Sequence, residues 1–197
     1  MAGAVFNLAE TELSRIVPHL ALPEPAAAAI RSFASVPEAF LALESKGFLL
    51  EAARLLALAL PRRQAVWWAC MCALHTAPAD LAEPHRKARE AAELWVRQQT
   101  DADRRAAMRL AEQVGFDSPE AWAAVAAFWS GDSLAPEDGP KAPPPPHLAG
   151  LAVGGAVGLS AVRTKLDRRD ARLQRFLESG RNIAAGGAGR LPPEDST

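Results

Sequence analysis

The sequence contains no tyrosine, only two cysteines and no surplus of either charge, 22 Lys and Arg standing against 23 Asp and Glu. Each shortage removes a class of function. A balanced charge argues against a nucleic-acid partner, whose electrostatic footprint is a basic excess on one face. Cys70 and Cys72 lie two apart on one predicted helix, so they project from nearly opposite faces and cannot bridge. No apolar run reaches the roughly 20 residues that span a bilayer, and stable membrane insertion is not expected. The N-terminal stretch MAGAVFNLAE has neither a basic n-region nor an apolar core. A signal peptide is therefore not expected, and the chain reads as cytoplasmic.

The signatures of catalysis are missing as well. No G-x-S-x-G elbow places a nucleophile on a tight turn. The glycines at 154–158 sit in an apolar run with no Lys-Ser/Thr behind them, so no Walker loop cradles a phosphate. Cys70, Cys72, His75 and His85 are the only cluster of soft ligands, without a paired C-x-x-C, and read as core groups rather than a metal site. Carboxylates occur mostly beside Arg or Lys at helical spacing, as on solvated faces. No catalytic, metal or cofactor residue is expected.

What the chain does have is alanine and leucine. Few β-branched residues and a 49% apolar composition favour helix throughout. The most continuously apolar stretch, Pro37 to Leu74, organises the rest. Ser35 is a candidate N-cap with Pro37 in the first turn, and Gly47 supplies a left-handed end. Phe48 to Leu60 carries only Glu51 and Arg54 as charges, and a helix apolar nearly all round is a buried one. Pro61 stops it, and a third helix runs to about Leu74 through Trp67 and Trp68. The segment KGFLLEAARLLA resembles the turn and second helix of a tetratricopeptide unit, although no second copy follows.

Before this hairpin, Thr11 to Val17 and Pro25 to Phe33 read as two short helices that cover it. After it, an amphipathic helix is predicted from Glu83 to Gln99, with Trp95 inward and Glu93 and Arg97 paired outward. Thr100 with Asp103 forms a capping-box-like start to a helix ending at Gly115. Ser118-Pro119-Glu120 opens another, with Trp122, Val125, Ala126 and Trp129 on one stripe and Gly131 as its stop. Residues 132–146, DSLAPEDGPKAPPPP, hold six prolines and form an extended strap. Leu148 to Val162 is uncharged, with Gly150, Gly154 and Gly158 at the spacing that lets helices approach closely. A charge-rich helix follows from Asp167 to Ala184. The expected fold is all-α, an irregular bundle of about eight to ten helices with a tetratricopeptide-like hairpin. It occupies residues 1–185 as one domain, with the strap inside it and a disordered tail at 186–197.

Four segments together carry a resemblance: ALPRRQAVWWAC (59–70), AAELWV (91–96), RRAAM (104–108) and AWAAVAAFWSGDSLAPED (121–138). They are similar to a bacterial family of uncharacterised function that typically reads A-L-P-x-R-E-A-V-W-W-A-C and later A-A-F-W-S-G-G-S-L-A-P-P. Gln64 stands where that family has Glu, and Asp132 where it has Gly. The resemblance implies an accessory or adaptor role beside contractile, type VI-like secretion systems, with another protein as partner. It supplies no catalytic residues.

Two readings of function remain open. In the first, the chain is a non-enzymatic adaptor, and Asp132, Ser133 and Leu134 at the head of the strap form part of a protein-binding surface. The alternative is that Leu134 only pins the strap to the core. In the second, Trp67, Trp68, Trp95, Trp122 and Trp129, which on the first reading define the core, line a pocket for a small molecule or substrate.

Overall fold

Across residues 6–194, which the computed structural model describes, the chain forms ten α-helices and two 3₁₀ turns. The helices are α1 (Leu13–Ile16), α2 (Glu24–Ile30), α3 (Val36–Ser45), α4 (Leu49–Ala59), α5 (Arg62–His75), α6 (Glu83–Gln98), α7 (Asp101–Gln113), α8 (Pro119–Trp129), α9 (Leu148–Val162) and α10 (Arg169–Ala184). No strand forms among these residues, whose one β contact is an isolated bridge between Glu12 and Ser35. The fold is all-α, as the composition predicts.

Helix starts follow side-chain chemistry. The Ser35 hydroxyl accepts from the Glu38 N–H (3.4 Å) and donates to the Glu38 carboxylate (2.5 Å). Thr100 does the same with Asp103, accepting at 3.1 Å and donating at 2.5 Å. Ser118 accepts from the Ala121 N–H at 3.2 Å. These caps satisfy N–H groups that the first turn of a helix leaves without partners. Gly47 and Gly115 end α3 and α7 at φ of 78° and 79°, where a side chain would be strained.

Some details differ from the sequence reading. Pro18 converts the end of α1 into a 3₁₀ turn, Val17–His19, rather than simply stopping it. A second 3₁₀ turn, Leu166–Arg168, precedes α10 and moves its start to Arg169. Glu93 pairs with Arg89 one turn earlier instead of Arg97, because both lie nearly buried on the inner side of α6. Gly131 adopts no left-handed conformation. It is small because Arg104 lies against it, and a Cβ there would sit 2.2 Å from the Arg104 Nε.

The centre belongs to α9, which packs on α4, α5, α8 and α10. A Cβ on Gly150 would meet the Leu58 Cα at 2.8 Å and the Ala57 carbonyl at 3.0 Å, so the α9 and α4 backbones touch there. On the other side of α4, Gly180 of α10 admits Leu56 and the Trp68 ring. Trp68 is fully buried and donates its indole N–H to the Phe176 carbonyl at 2.9 Å. Among the described residues no helix is long and apolar enough to cross a membrane.

Charge also enters the interior, which the reading of carboxylates as surface groups did not anticipate. Glu120, in the first turn of α8, is fully buried and binds both terminal nitrogens of Arg163. Arg163 caps the end of α9 and donates as well to the Ala73 carbonyl of α5 at 3.3 Å. The bidentate geometry satisfies both carboxylate oxygens and locks three helix ends together.

From sequence a disordered tail is expected at 186–197. Residues 186–194 lie against α5 and α10, held by the partners described below, while 195–197 fall outside the described residues. Glycine and proline content suggested disorder, but the segment's backbone groups find partners on the body of the fold.

The glycines of α9 are not equivalent. Gly150→Ala is expected to lose about 1–3 kcal/mol, because backbone cannot yield to the new methyl. Gly158→Ala would meet only the Leu50 Cδ1, at an ordinary 3.5 Å. It is expected to be neutral or to gain up to about 1 kcal/mol from helix propensity. Urea denaturation of the two variants checks both; equal losses would show that Gly150 is not a close-approach position.

Candidate functional site

The head of the strap is a polar knot. Arg104, almost fully buried at the start of α7, donates to Asp101 (Nε to Oδ1, 2.6 Å) and to the Phe128 carbonyl (3.4 Å), its guanidinium 5.1 Å from the Phe128 ring centre. Arg105 donates to Asp101 at 2.6 Å and to the Ala135 carbonyl at 3.0 Å. The Arg105 hydrogen bond, with Arg104 beside it, holds the Asp101 carboxyl below its usual range. Within this knot the Ser133 hydroxyl accepts from the N–H groups of Ala135 (3.2 Å) and Ala142 (3.0 Å), and the Leu134 N–H donates to the Ala142 carbonyl (2.7 Å).

Of the three residues chosen from sequence, Ser133 is therefore buried and engaged in closing the strap on itself. Leu134 is half-buried. Asp132 alone is exposed.

The tryptophans separate. Trp68 and Trp95 are buried, and Trp67, Trp122 and Trp129 are partly covered. Trp122 donates to the Phe116 carbonyl at 2.9 Å and packs edge-to-face on Trp129 with centres 6.3 Å apart. Trp67 donates to the Ala188 carbonyl of the tail at 2.7 Å. The indole N–H groups of Trp67, Trp68 and Trp122 are thus engaged by backbone carbonyls. Cys70 and Cys72 are free and fully buried, and burial pushes both thiols well above their usual range. Among the described residues no group of three or more His, Cys, Asp or Glu is arranged to hold a metal ion.

Two surfaces emerge that the sequence reading did not single out. The first lies over α1–α3. A groove of about 430 Å³ is lined by Leu13, Val17, Leu22, Ile30 and Phe33. A shallower one of about 630 Å³ runs over Ala29, Phe33, Leu41 and Ala42. Phe33 borders both, and Val17, Phe33 and Leu41 are 40%, 36% and 50% exposed. The periodicity of α3 held the signal: Val36, Ala39, Phe40 and Leu43 form its buried stripe, and Leu41 falls off it.

The second surface is the slot that holds residues 188–194. Besides the Trp67 bond, the Ser179 hydroxyl donates to the Gly189 carbonyl (2.5 Å), and the Gly189 N–H donates to the Asn182 Oδ1 (2.8 Å). His75 donates from Nδ1 to the Pro192 carbonyl, and the Glu194 N–H donates to the His75 carbonyl (2.7 Å). Arg172, 2% exposed, binds the Glu194 carboxylate from Nη2 (2.7 Å) and Nε (3.2 Å) while also donating to the carbonyls of Ala161 and Arg163. Arg168 lies 3.4 Å from the same carboxylate. Beside it a polar cleft of about 400 Å³ is lined by Arg168, Arg172, Arg175 and His75.

With these parts in place, the comparisons with known proteins are informative about family alone. The chain belongs to the family of unknown function DUF6931. The family model matches residues 39–184, from within α3 to the last residue of α10. Comparison with curated proteins and with solved structures gives no match. Both newly seen surfaces therefore straddle the edge of the DUF6931 match. Most of the α1–α3 grooves precedes it, and the segment filling the slot follows it.

Two outcomes test this description. Ser133→Ala removes an acceptor from two backbone N–H groups and is expected to lower stability by about 1–3 kcal/mol, whereas Asp132→Ala leaves the melting temperature nearly unchanged. Equal effects would place Ser133 outside the knot. The Glu194 carboxyl is held below its ordinary 4.5, chiefly by the Arg172 hydrogen bonds. Its contribution to tail docking is complete above 4.5 and is lost as pH falls through the lower folded-state value. The Trp67 indole N–H resonance should shift over that acid range, and Glu194→Gln should abolish the step. A step that survives in the variant would assign it to another carboxylate.

Proposed function

We propose that this protein is a non-enzymatic helical interaction module whose principal docking surface is the pair of apolar grooves meeting at Phe33. The observation that supports this reading is the continuity of Val17, Phe33 and Leu41 at the surface of α1–α3, with apolar lining on both sides. Contiguous apolar surface of this kind mediates protein contacts more often than it is left in water. A helix laid into the second groove with anchors at i, i+3 and i+4 spacing would bury Phe33 and Leu41 together.

The resemblance to families beside contractile, type VI-like secretion systems extends the proposal. In that setting the module acts in the cytoplasm as an adaptor for a secretion component or a secreted cargo. The strap corner at Asp132 and Leu134 is a subsidiary contact in this reading, with Ser133 serving it only by holding the strap in shape.

The test is capture from the native host by the unaltered chain, by a Phe33→Ser, Leu41→Asp double variant, and by Leu166→Asp. Leu166 is 69% exposed and far along the chain from the grooves. A discrete partner kept by Leu166→Asp and lost by the double variant, with melting temperatures within a few degrees, is the expected outcome. Equal capture by all three would sink the assignment of the surface. Asp132→Ala in the same assay should weaken capture by less than the double variant does.

A further inference from the structure

We infer that the slot between α5 and α10 is a docking site for an acidic segment of a partner protein, and that residues 188–194 are its occupant supplied in cis. This inference stands on a different surface from the Phe33 grooves and does not depend on them.

The argument begins with what the slot recognises. Trp67, Ser179, Asn182 and His75 contact the tail only through its backbone N–H and C=O groups. Backbone recognition of this kind accepts any chain that can follow the same path. Three positions are read more closely. Gly189 is buried at φ 55°, and a Cβ there would lie 2.4 Å from the Ile183 Cγ1, so only glycine fits. Leu191 packs against the core. Glu194 places its carboxylate on Arg172 and beside Arg168. The slot thus reads Gly-x-Leu-x-x-Glu in a backbone that is neither helix nor strand and turns left-handed at the glycine.

The second observation is the state of Arg172. Its guanidinium is buried, and the carboxylate of the occupant is its anionic partner. An empty slot would leave a buried charge facing only carbonyl dipoles, which is strongly disfavoured. Occupants should therefore exchange, one carboxylate replacing another, rather than leave the slot vacant. The adjoining cleft, with Arg168 and Arg175 on its wall, favours a partner segment that is acidic at this end.

The third is the division of the chain. Trp67, His75, Arg172, Ser179 and Asn182 all lie within the DUF6931 match, and the occupant lies beyond it. The receptor belongs to the family body, while the ligand-like segment is an extension joined through Gly186 and Gly187. So short a tether gives the cis segment a high effective concentration, and a partner must compete with it.

The experiment uses the full chain with its tail loosened by Leu191→Ser and Glu194→Gln, and labelled peptides as probes. One peptide copies residues 186–197. A second, of unrelated sequence, keeps only Gly, Leu and Glu at the same spacing; a third carries Gln at the Glu position; a fourth has the three residues at altered spacing. The first two should bind the loosened chain at least about tenfold tighter than the unaltered chain, because the cis competitor is gone. The Gln peptide should bind about tenfold or more weakly than its Glu parent, as expected for losing a charged hydrogen bond. Failure of the unrelated peptide to bind, or equal binding of the spacing control, overturns the inference. Should the loosened chain fail to fold, the unaltered chain is titrated with excess copy peptide while amide exchange is followed. Faster exchange at Gly189 and Glu194 is expected, and unchanged exchange at both overturns it.

Discussion

The contact between Gly150 and the backbone at Leu58 is the constraint on which the arrangement depends. It lets α9 approach α4 until main-chain atoms touch, and from there α9 reaches α5, α8 and α10 as well. A helix in that position is covered over most of its circumference, with Leu151 and Val162 left at the surface. Its residues are Ala, Val, Gly, three Leu and a single Ser160, whose hydroxyl returns to the Ala156 carbonyl at 2.8 Å. Glycine weakens a helix by about 1 kcal/mol per residue relative to alanine. Dispersion contacts over a close interface offset that loss, since each is small but many form together.

Such a core leaves its connections without support, and buried arginines supply it. Arg104 braces the corner where α8 meets the strap. Arg163 joins the end of α9 to α8 and α5. Arg172 gathers carbonyls from the α9–α10 connection and the carboxylate of the tail. The physical reason is common to all three. A turn at the end of a buried helix exposes carbonyls that must find donors, and a guanidinium offers five in a planar fork. Each arginine then needs an anion, which Asp101, Glu120 and Glu194 provide.

The parts legible in the sequence are those set by local rules. The caps at Ser35, Thr100 and Ser118, the stops at Gly47 and Gly115, and the burial of α4 and Trp68 follow from neighbours a few residues away. The illegible parts are long-range. Glu120 and Arg163 are 43 residues apart, and nothing in either neighbourhood announces that they meet. Gly131 looks like a helix stop until Arg104, remote in sequence, is seen to fill the space above it. Ser133 reads as an exposed loop residue because serine ahead of a proline-rich strap usually is one, yet the Ala142 N–H that donates to its hydroxyl lies across the strap. The contacts of residues 188–194 are illegible for the same reason: composition there predicts disorder, and the groups that touch the segment belong to α5 and α10.

This division bears on how partner choice can change without disturbing the fold. The residues that hold α9 in place lie inside the DUF6931 match, on α4, α5, α8 and α10. The α1–α2 segment and the tail lie outside it and pack on its edges, the first adding Leu13, Ile16, Leu20 and Ile30 to the common core. Asn7 donates to the Ala184 carbonyl and Ala9 to that of Ala59, while the tail uses the slot. Peripheral elements with few contacts open at lower free energy than a core does. On the proposed function, that is where recognition is best placed. A groove framed by α1–α3 and a slot filled by a tethered segment can each be altered by substitutions that leave the α4–α9 contact untouched. On that proposal the body supplies rigidity, and the attached segments decide what docks.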